Sequence, residues 1–108
     1  MTIVEPGAFR TNWSGPSMRQ SRTSIDDYAE TAGARRTSTL ANYGHQPGDP
    51  ARAAAAIITA VLAEEPPLRL LLGKVAHDVA TARLGNLATA FATWRELTLS
   101  ADFPEETR

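Results

Sequence analysis

The sequence predicts an α/β protein in which two short parallel strands are connected through a helix. Residues 2–5 are a short β-branched run that stops at Pro6 and Gly7. Residues 68–72 are an almost uniformly apolar run bounded by turn residues, which is typical of a strand buried in a parallel sheet. An alanine-rich helical pattern over residues 50–64 lies between them. This order fits a right-handed strand–helix–strand crossover.

The composition is that of a single small domain of 108 residues with a formal net charge of −1 and no cysteine. A near-neutral charge provides no basic excess for nucleic-acid binding. Without cysteine the chain has no disulfide and no thiol nucleophile. No apolar run reaches the roughly 18 residues of a membrane span, and the first residues lack the pattern of a signal peptide. We therefore expect a cytoplasmic protein that binds neither nucleic acid nor membranes.

The first strand, over residues 2–5, is β-branched and stops at Pro6 and Gly7, which favour a turn. Residues 6–11 then place a turn at the carboxyl end of the strand, with the Thr11 hydroxyl four residues beyond Gly7. Ligands of open α/β sheets bind at that end. A glycine there lets a flat ring approach the backbone, while amides and a hydroxyl can bind a carboxamide or phosphate oxygen. On the residues alone, an ordinary turn into a loop is the favoured interpretation.

Residues 12–47 are rich in Ser, Thr, Gly and Arg, and their one helical pattern is Ser24–Glu30, which Ser24 is suited to cap. Connections of this length in compact domains are usually binding loops or lids. Plain disorder is the alternative interpretation.

The remaining elements have clearer signals. Asp49 is suited to the N-cap and Pro50 to the first position of the helix over residues 50–64. Pro66 and Pro67 end it before the strand at residues 68–72. A terminal helix is predicted over residues 76–97. Its apolar stripe consists of Ala80, Leu84, Leu87, Phe91 and Trp94.

The chain lacks the residue patterns of the common catalytic and metal sites. His45 and His77 form no metal-ligating pair, and no Gly-x-Ser-x-Gly motif supplies a nucleophile. The seven glycines are too dispersed for a phosphate-binding loop. We therefore predict no metal site and no catalytic residue within these 108 residues.

Four segments together resemble the C-terminal portion of a classical short-chain dehydrogenase/reductase. Residues 2–11 resemble the sixth strand of that family and its Pro-Gly-x-x-x-Thr segment. Residues 46–54 resemble the entry to its next helix, and residues 66–73 resemble its last strand. Residues 94–102 resemble the tail of one oxidoreductase subgroup. The resemblance covers essentially the whole chain but less than half of a family member.

This resemblance implies the C-terminal part of a doubly wound, Rossmann-type parallel sheet and the cofactor NAD or NADP. By resemblance, Pro6 and Gly7 shape the nicotinamide pocket, the backbone near Phe9 meets the carboxamide, and Thr11 donates its hydroxyl. The catalytic Ser and the Tyr-x-x-x-Lys motif of the family are absent: Tyr28 and Tyr43 are not followed by lysine at the fourth place.

By the same resemblance, residues 12–47 are the variable substrate loop, with Trp13 and Met18 as lining residues for a small alcohol or carbonyl substrate. Simple loop packing is the alternative role for both side chains. The resemblance also implies a homo-oligomer, incomplete and inactive as this chain alone, with Met1 consistent with a truncated reading frame. A stand-alone interaction or self-association module is the alternative function.

Overall fold

Residues 1–105 are described by the structure, a computed structural model. Strand β1, Ile3–Pro6, pairs in parallel with strand β2, Arg69–Leu72. The register sets Ile3 opposite Arg69 and Pro6 opposite Leu72. The expected α/β class with a parallel sheet is confirmed.

Strand β1 is shifted by one residue from the predicted range of 2–5. Pro6 has no N–H to donate, but it can be the last residue of the strand. The next N–H, that of Gly7, donates to the Leu72 carbonyl at 2.9 Å and keeps the chain extended. At the other end, the Thr2 hydroxyl donates to the Pro67 carbonyl at 2.7 Å. Hydrogen bonds therefore hold the strand pair beyond both ends of β1.

The first long helix, α2 (Pro50–Val61), begins as the sequence predicts: Asp49 is the N-cap, and its Oδ1 accepts from the Ala51 N–H at 2.9 Å. It ends at Val61 and not at Glu64, with Leu62 as the C-cap. The residue before a proline is disfavoured in the helical region. Pro66 therefore disfavours helix at Glu65 but does not account for the end at Val61, and a turn and bends over residues 62–65 separate α2 from β2.

The predicted terminal helix over residues 76–97 is two helices, α3 (Lys74–Thr93) and α4 (Arg95–Leu99). The first begins directly after β2 because Gly73 has φ of +94°, a left-handed conformation that reverses the chain in one residue. Trp94, with φ −99° and ψ 9°, interrupts the helix. Gly85 causes no interruption, as expected.

The long connection contains more helix than the sequence predicts. Short 3₁₀ turns at Asn12–Ser14 and Asp26–Tyr28 are followed by a π-helical turn, Ala29–Gly33, and by helix α1, Ala34–Ala41. The expectation that Ser24 caps a helix is wrong, because Ile25 takes the N-cap position without a side-chain hydrogen bond. Helix α1 escaped notice because it is rich in Ser and Thr, whose hydroxyls usually compete with helix formation. Here the Thr37 and Thr39 hydroxyls bind carbonyls four residues earlier in the same helix.

The described residues bury very little apolar surface. Ala60 and Leu72, at 9% and 7% exposure, are the buried hydrophobic residues. The radius of gyration is 21.2 Å, against about 13 Å for a compact domain near this length. Most of the stripe predicted for the terminal helix is exposed, with Phe91 at 71%. None of the helices in residues 1–105 combines the length and the apolar character that crossing a membrane requires.

Candidate functional site

A concavity of about 910 Å³ lies at the carboxyl ends of the two strands. This is the edge of a parallel sheet at which ligands of α/β proteins bind. Five predicted site residues line it. They are Pro6, Gly7, Phe9, Thr11 and Trp13. The structure thus brings the residues after β1 together around one pocket, and their assignment to a cofactor stays a prediction.

Gly7 and Phe9 fit closely against the other strand end. A Cβ on Gly7 would lie 3.3 Å from the Ala76 nitrogen, at the start of α3. The Phe9 ring lies against Gly48, where a Cβ would come within 2.6 Å of the Ala8 carbonyl oxygen. Glycine is therefore required by close approach at position 48, and the turn after β1 is fixed by contacts with the segments on both sides.

Thr11 and Trp13 belong to one short turn at the mouth of the pocket. The Thr11 hydroxyl oxygen accepts a hydrogen bond from the Trp13 N–H at 3.3 Å and caps the 3₁₀ turn Asn12–Ser14. A hydroxyl that accepts still has its own proton to donate. Trp13 is largely exposed, so its indole is held by little of the surrounding chain.

Met18 is separated from the other site residues. Its N–H donates to the Gly15 carbonyl at 3.1 Å, and its side chain is half-buried but does not line the pocket. The sequence grouped Met18 with Trp13 because both are apolar loop residues. Trp13 lies within the 3₁₀ turn Asn12–Ser14, and Met18 follows that turn.

Gln46 is the residue of this site that sequence reasoning missed. It is 8% exposed, and its amide Nε2 donates to the hydroxyl of Ser14, itself 6% exposed, at 2.9 Å. Its Oε1 accepts from the Gly44 N–H at 2.9 Å, and its backbone carbonyl accepts from Arg10 Nε. These bonds tie the turn after β1 to the end of the long connection. An isolated glutamine in a Gly- and Pro-rich segment has no sequence signal for such a role.

A second tie joins the same two segments. The Tyr43 ring lies so close to Gly15 that a Cβ there would approach its Cζ to 2.6 Å, and the Tyr43 hydroxyl donates to Asn12 Oδ1 at 3.3 Å. The Gly48 N–H donates to the Ala8 carbonyl at 2.9 Å. The residues after β1 and residues 43–48 therefore form one hydrogen-bonded unit.

Two helices contribute lining residues of different chemistry to the pocket. Helix α1 and its C-cap residue contribute Arg35, Ser38, Thr39 and Asn42. Helix α2 contributes Pro50, Ala53, Ala54 and Ile57. The lining from α1 is therefore polar with a single cationic side chain, and the lining from α2 is apolar.

Charge is otherwise sparse at the site. Outside the site, at the start of α3, the hydrogen bond from Lys74 lowers the pKa of the Asp78 carboxyl group. Residues 1–105 contain no cluster of three His, Cys, Asp or Glu side chains suited to a metal ion.

Comparisons with known proteins give two informative similarities. The chain is 36% identical over 101 residues to Oxidoreductase BOA17 of Botryotinia fuckeliana (strain B05.10). The matched region covers 94% of this chain and 36% of that protein. It is also similar to the crystal structure of a short-chain dehydrogenase from Streptomyces avermitilis, with a TM-score of 0.72 and 42% identity over the same shares of the two chains. No protein-family model matches. The chain thus spans about a third of the length of these relatives, and the resemblance found in the sequence is confirmed.

Proposed function

We propose that this chain forms part of an NAD(P)-dependent oxidoreductase, because it is related over almost its whole length to the short-chain dehydrogenases. Its contribution is a nicotinamide-contact turn, a substrate loop and an oligomer surface. The observation that supports this proposal best is the pocket at the carboxyl ends of β1 and β2, which the predicted cofactor-contact residues line.

The residues after β1 fit a flat cofactor ring. Gly7 presents only backbone to the pocket, in a position where an added Cβ would approach the start of α3. Thr11 retains a hydroxyl proton for a carboxamide oxygen. Pro6, Gly7, Phe9 and Thr11 would hold the nicotinamide end of NAD or NADP. The cofactor, when bound, supplies hydride transfer.

The substrate side of the proposal rests on the connection between β1 and α2. Trp13, at the mouth of the pocket, is the better-placed of the two predicted lining residues. Met18 would reach a substrate only by a movement of the loop. The substrate class in the larger enzyme is a small alcohol or carbonyl compound.

The proposed oligomer surface is made of α2 and β2, the elements that pack across a twofold axis in the family. Large apolar side chains of this region are exposed in the single chain. They include Ile58, Val61, Leu62 and Leu68. Covering such side chains contributes about 2 kcal/mol each, so a homo-oligomer is the expected assembly. The cytoplasmic location stays a prediction.

Chemistry in the family needs groups that these residues do not provide. Reduction or oxidation of a carbonyl–alcohol pair requires a tyrosine acid whose pKa is lowered by a lysine. Lys74 is the one lysine of the sequence, and it lies next to Val75 and not four residues after a tyrosine. We therefore expect cofactor contact, but no turnover, from this chain by itself.

The proposal is tested with a hybrid in which this chain replaces the matching segment of the Streptomyces dehydrogenase, to which it is 42% identical. Binding of NADH and NADPH to the hybrid is measured by isothermal titration calorimetry. We expect binding of at least one of them, and the Thr11→Val variant is expected to weaken it by about fivefold to tenfold, the value of one hydrogen bond.

Thr98→Val in α4, away from the pocket, is the matched control and should leave the affinity unchanged. A hybrid that unfolds cooperatively but binds neither cofactor would refute the proposal. Cooperative folding of the 108-residue chain without cofactor would then favour the stand-alone interaction module.

A further inference from the structure

The face that α1 and its C-cap residue contribute to the pocket is polar and mostly exposed. Arg35, Ser38, Thr39 and Asn42 follow one another at spacings of three, one and three, which sets all four on one helical face. Arg35, Ser38 and Asn42 are exposed, so their side chains are accessible to a ligand. The half-buried Thr39 hydroxyl already donates to the Arg35 carbonyl. This face of α1 is therefore suited to a polar ligand.

The lining residues of α2 have the same spacing and the opposite chemistry. Pro50, Ala53, Ala54 and Ile57 of α2 lie on one helical face and carry no polar side-chain atom. A ligand in the pocket therefore meets hydrogen-bonding groups from α1 and hydrocarbon from α2. The pocket is thus suited to a molecule with a polar head and an apolar body.

Arg35 determines the charge of that polar head. Among the described residues that line the pocket, it is the one charged side chain, and none of them is Asp or Glu. No ion pair engages Arg35 within residues 1–105. The adjacent Arg36 donates instead to the Ser21 carbonyl at 3.2 Å and serves the fold of the loop. Arg35 is the cation that the structure leaves for a ligand.

We propose that the polar head is a carboxylate of the substrate, bound by Arg35, with the apolar body of the substrate along α2. The planar guanidinium group binds a carboxylate through two parallel hydrogen bonds. Ser38 and Asn42 on the same face can bind further oxygen atoms. This inference rests on the proposed function and narrows its substrates to alcohols or ketones that carry a carboxylate and an apolar chain.

The test compares hexanoate with hexanamide, two probes of equal length that differ in charge. Each is titrated into the full 108-residue chain and followed by amide chemical shifts. Hexanoate is expected to bind about tenfold more tightly than hexanamide, because the charge-assisted bond is roughly twice as strong as a neutral one. Arg35→Gln is expected to remove that difference.

Arg52→Gln is the matched control, since it removes the same charge from a side chain that is 90% exposed and outside the pocket. Equal affinities for the two probes, or equal losses in both variants, would overturn the inference. The same titrations on the hybrid enzyme give the second measurement, with the rest of the fold supplied.

The hybrid also separates a substrate carboxylate from a cofactor phosphate. If Arg35→Gln weakens NADPH binding and leaves hexanoate binding unchanged, the anion belongs to the cofactor and the inference is overturned. Cofactor binding without discrimination between the probes would overturn the inference and leave the proposed function standing. Discrimination between the two probes through Arg35, without cofactor binding, would overturn the proposed function and leave the carboxylate site standing.

Discussion

The turn after β1 and the outer face of α3 are built in opposite ways. The turn, residues 6–17, is fixed by specific partners: the Gln46 amide, the Tyr43 ring and the close approach of Gly48. The face of α3 that carries Leu84 and Phe91 is apolar and exposed. Hydrogen bonds and close contacts between distant segments can thus order the turn after β1 within 108 residues, while an apolar helix face needs surface that these residues do not supply.

The largest effect is expected from adding one methyl group to the ordered region. In Gly48→Ala the new Cβ would lie 2.6 Å from the Ala8 carbonyl oxygen and also meet the Phe9 ring. We expect a loss of about 1–3 kcal/mol in the stability of this turn, the usual cost of overpacking. Hydrogen exchange of the Arg10 amide, which donates to the Gly48 carbonyl, measures it.

The matched control is Gly85→Ala in α3, where a Cβ would meet nothing within 4 Å. There alanine should stabilise the helix by about 0.5–1 kcal/mol. Unchanged protection of Arg10 in Gly48→Ala would show that the turn is not held by this close approach.

The next effect concerns the buried amide. Gln46→Ala leaves the Ser14 hydroxyl and the Gly44 N–H without their partner, at a cost of about 1–2 kcal/mol. Exchange of the Gly44 amide should accelerate accordingly, whereas Gln20→Ala on the exposed part of the loop should leave it unchanged. Equal exchange rates of the Gly44 amide in both variants would show that Gln46 does not order the site.

The exposed apolar face of α3 should respond differently. Phe91→Glu alters a side chain that is 71% exposed, so the free energy of unfolding should change by no more than about 0.5 kcal/mol. Self-association, measured by sedimentation equilibrium, should fall because an apolar contact surface is lost. Thr89→Glu adds the same charge at an exposed polar position of α3 and is the control. A large loss of stability would mean that Phe91 is packed in the monomer.

The smallest effect belongs to the ion pair of Lys74 and Asp78 at the start of α3. The folded-state pKa of Asp78 is lowered by its hydrogen bond from Lys74, so the pair contributes fully at neutral pH and loses its contribution as the pH falls below about 4. Both side chains are exposed, which keeps the effect small. On acidification, the helical circular dichroism signal of the unaltered chain should decrease slightly more than that of Asp78→Asn. High salt should abolish this difference.

Local signals in the sequence were sufficient for the two strands and for the start of α2, whereas the grouping of the site residues came from the family resemblance. Asp49 and Pro50 mark the start of α2, and the Pro6–Gly7 pair marks the turn after β1. The missed features depend on distant partners. Gln46 matters through Ser14, which lies 32 positions away, and Tyr43 through Asn12, 31 positions away. No periodicity within a short window contains such pairs. The polar face of α1 was missed for another reason, since its Ser and Thr residues resemble those of a loop.

The parallel pairing of β1 and β2 also determines how early in synthesis the sheet can form. Thr2 and Pro67 are hydrogen-bonded across 65 positions, and closing a loop of that length costs about 4 kcal/mol in chain entropy. During synthesis at about 5–20 residues per second, β1 waits roughly 3 to 13 s before β2 is made. In that interval the backbone groups of β1 that pair with β2 lack this partner and can bind another strand.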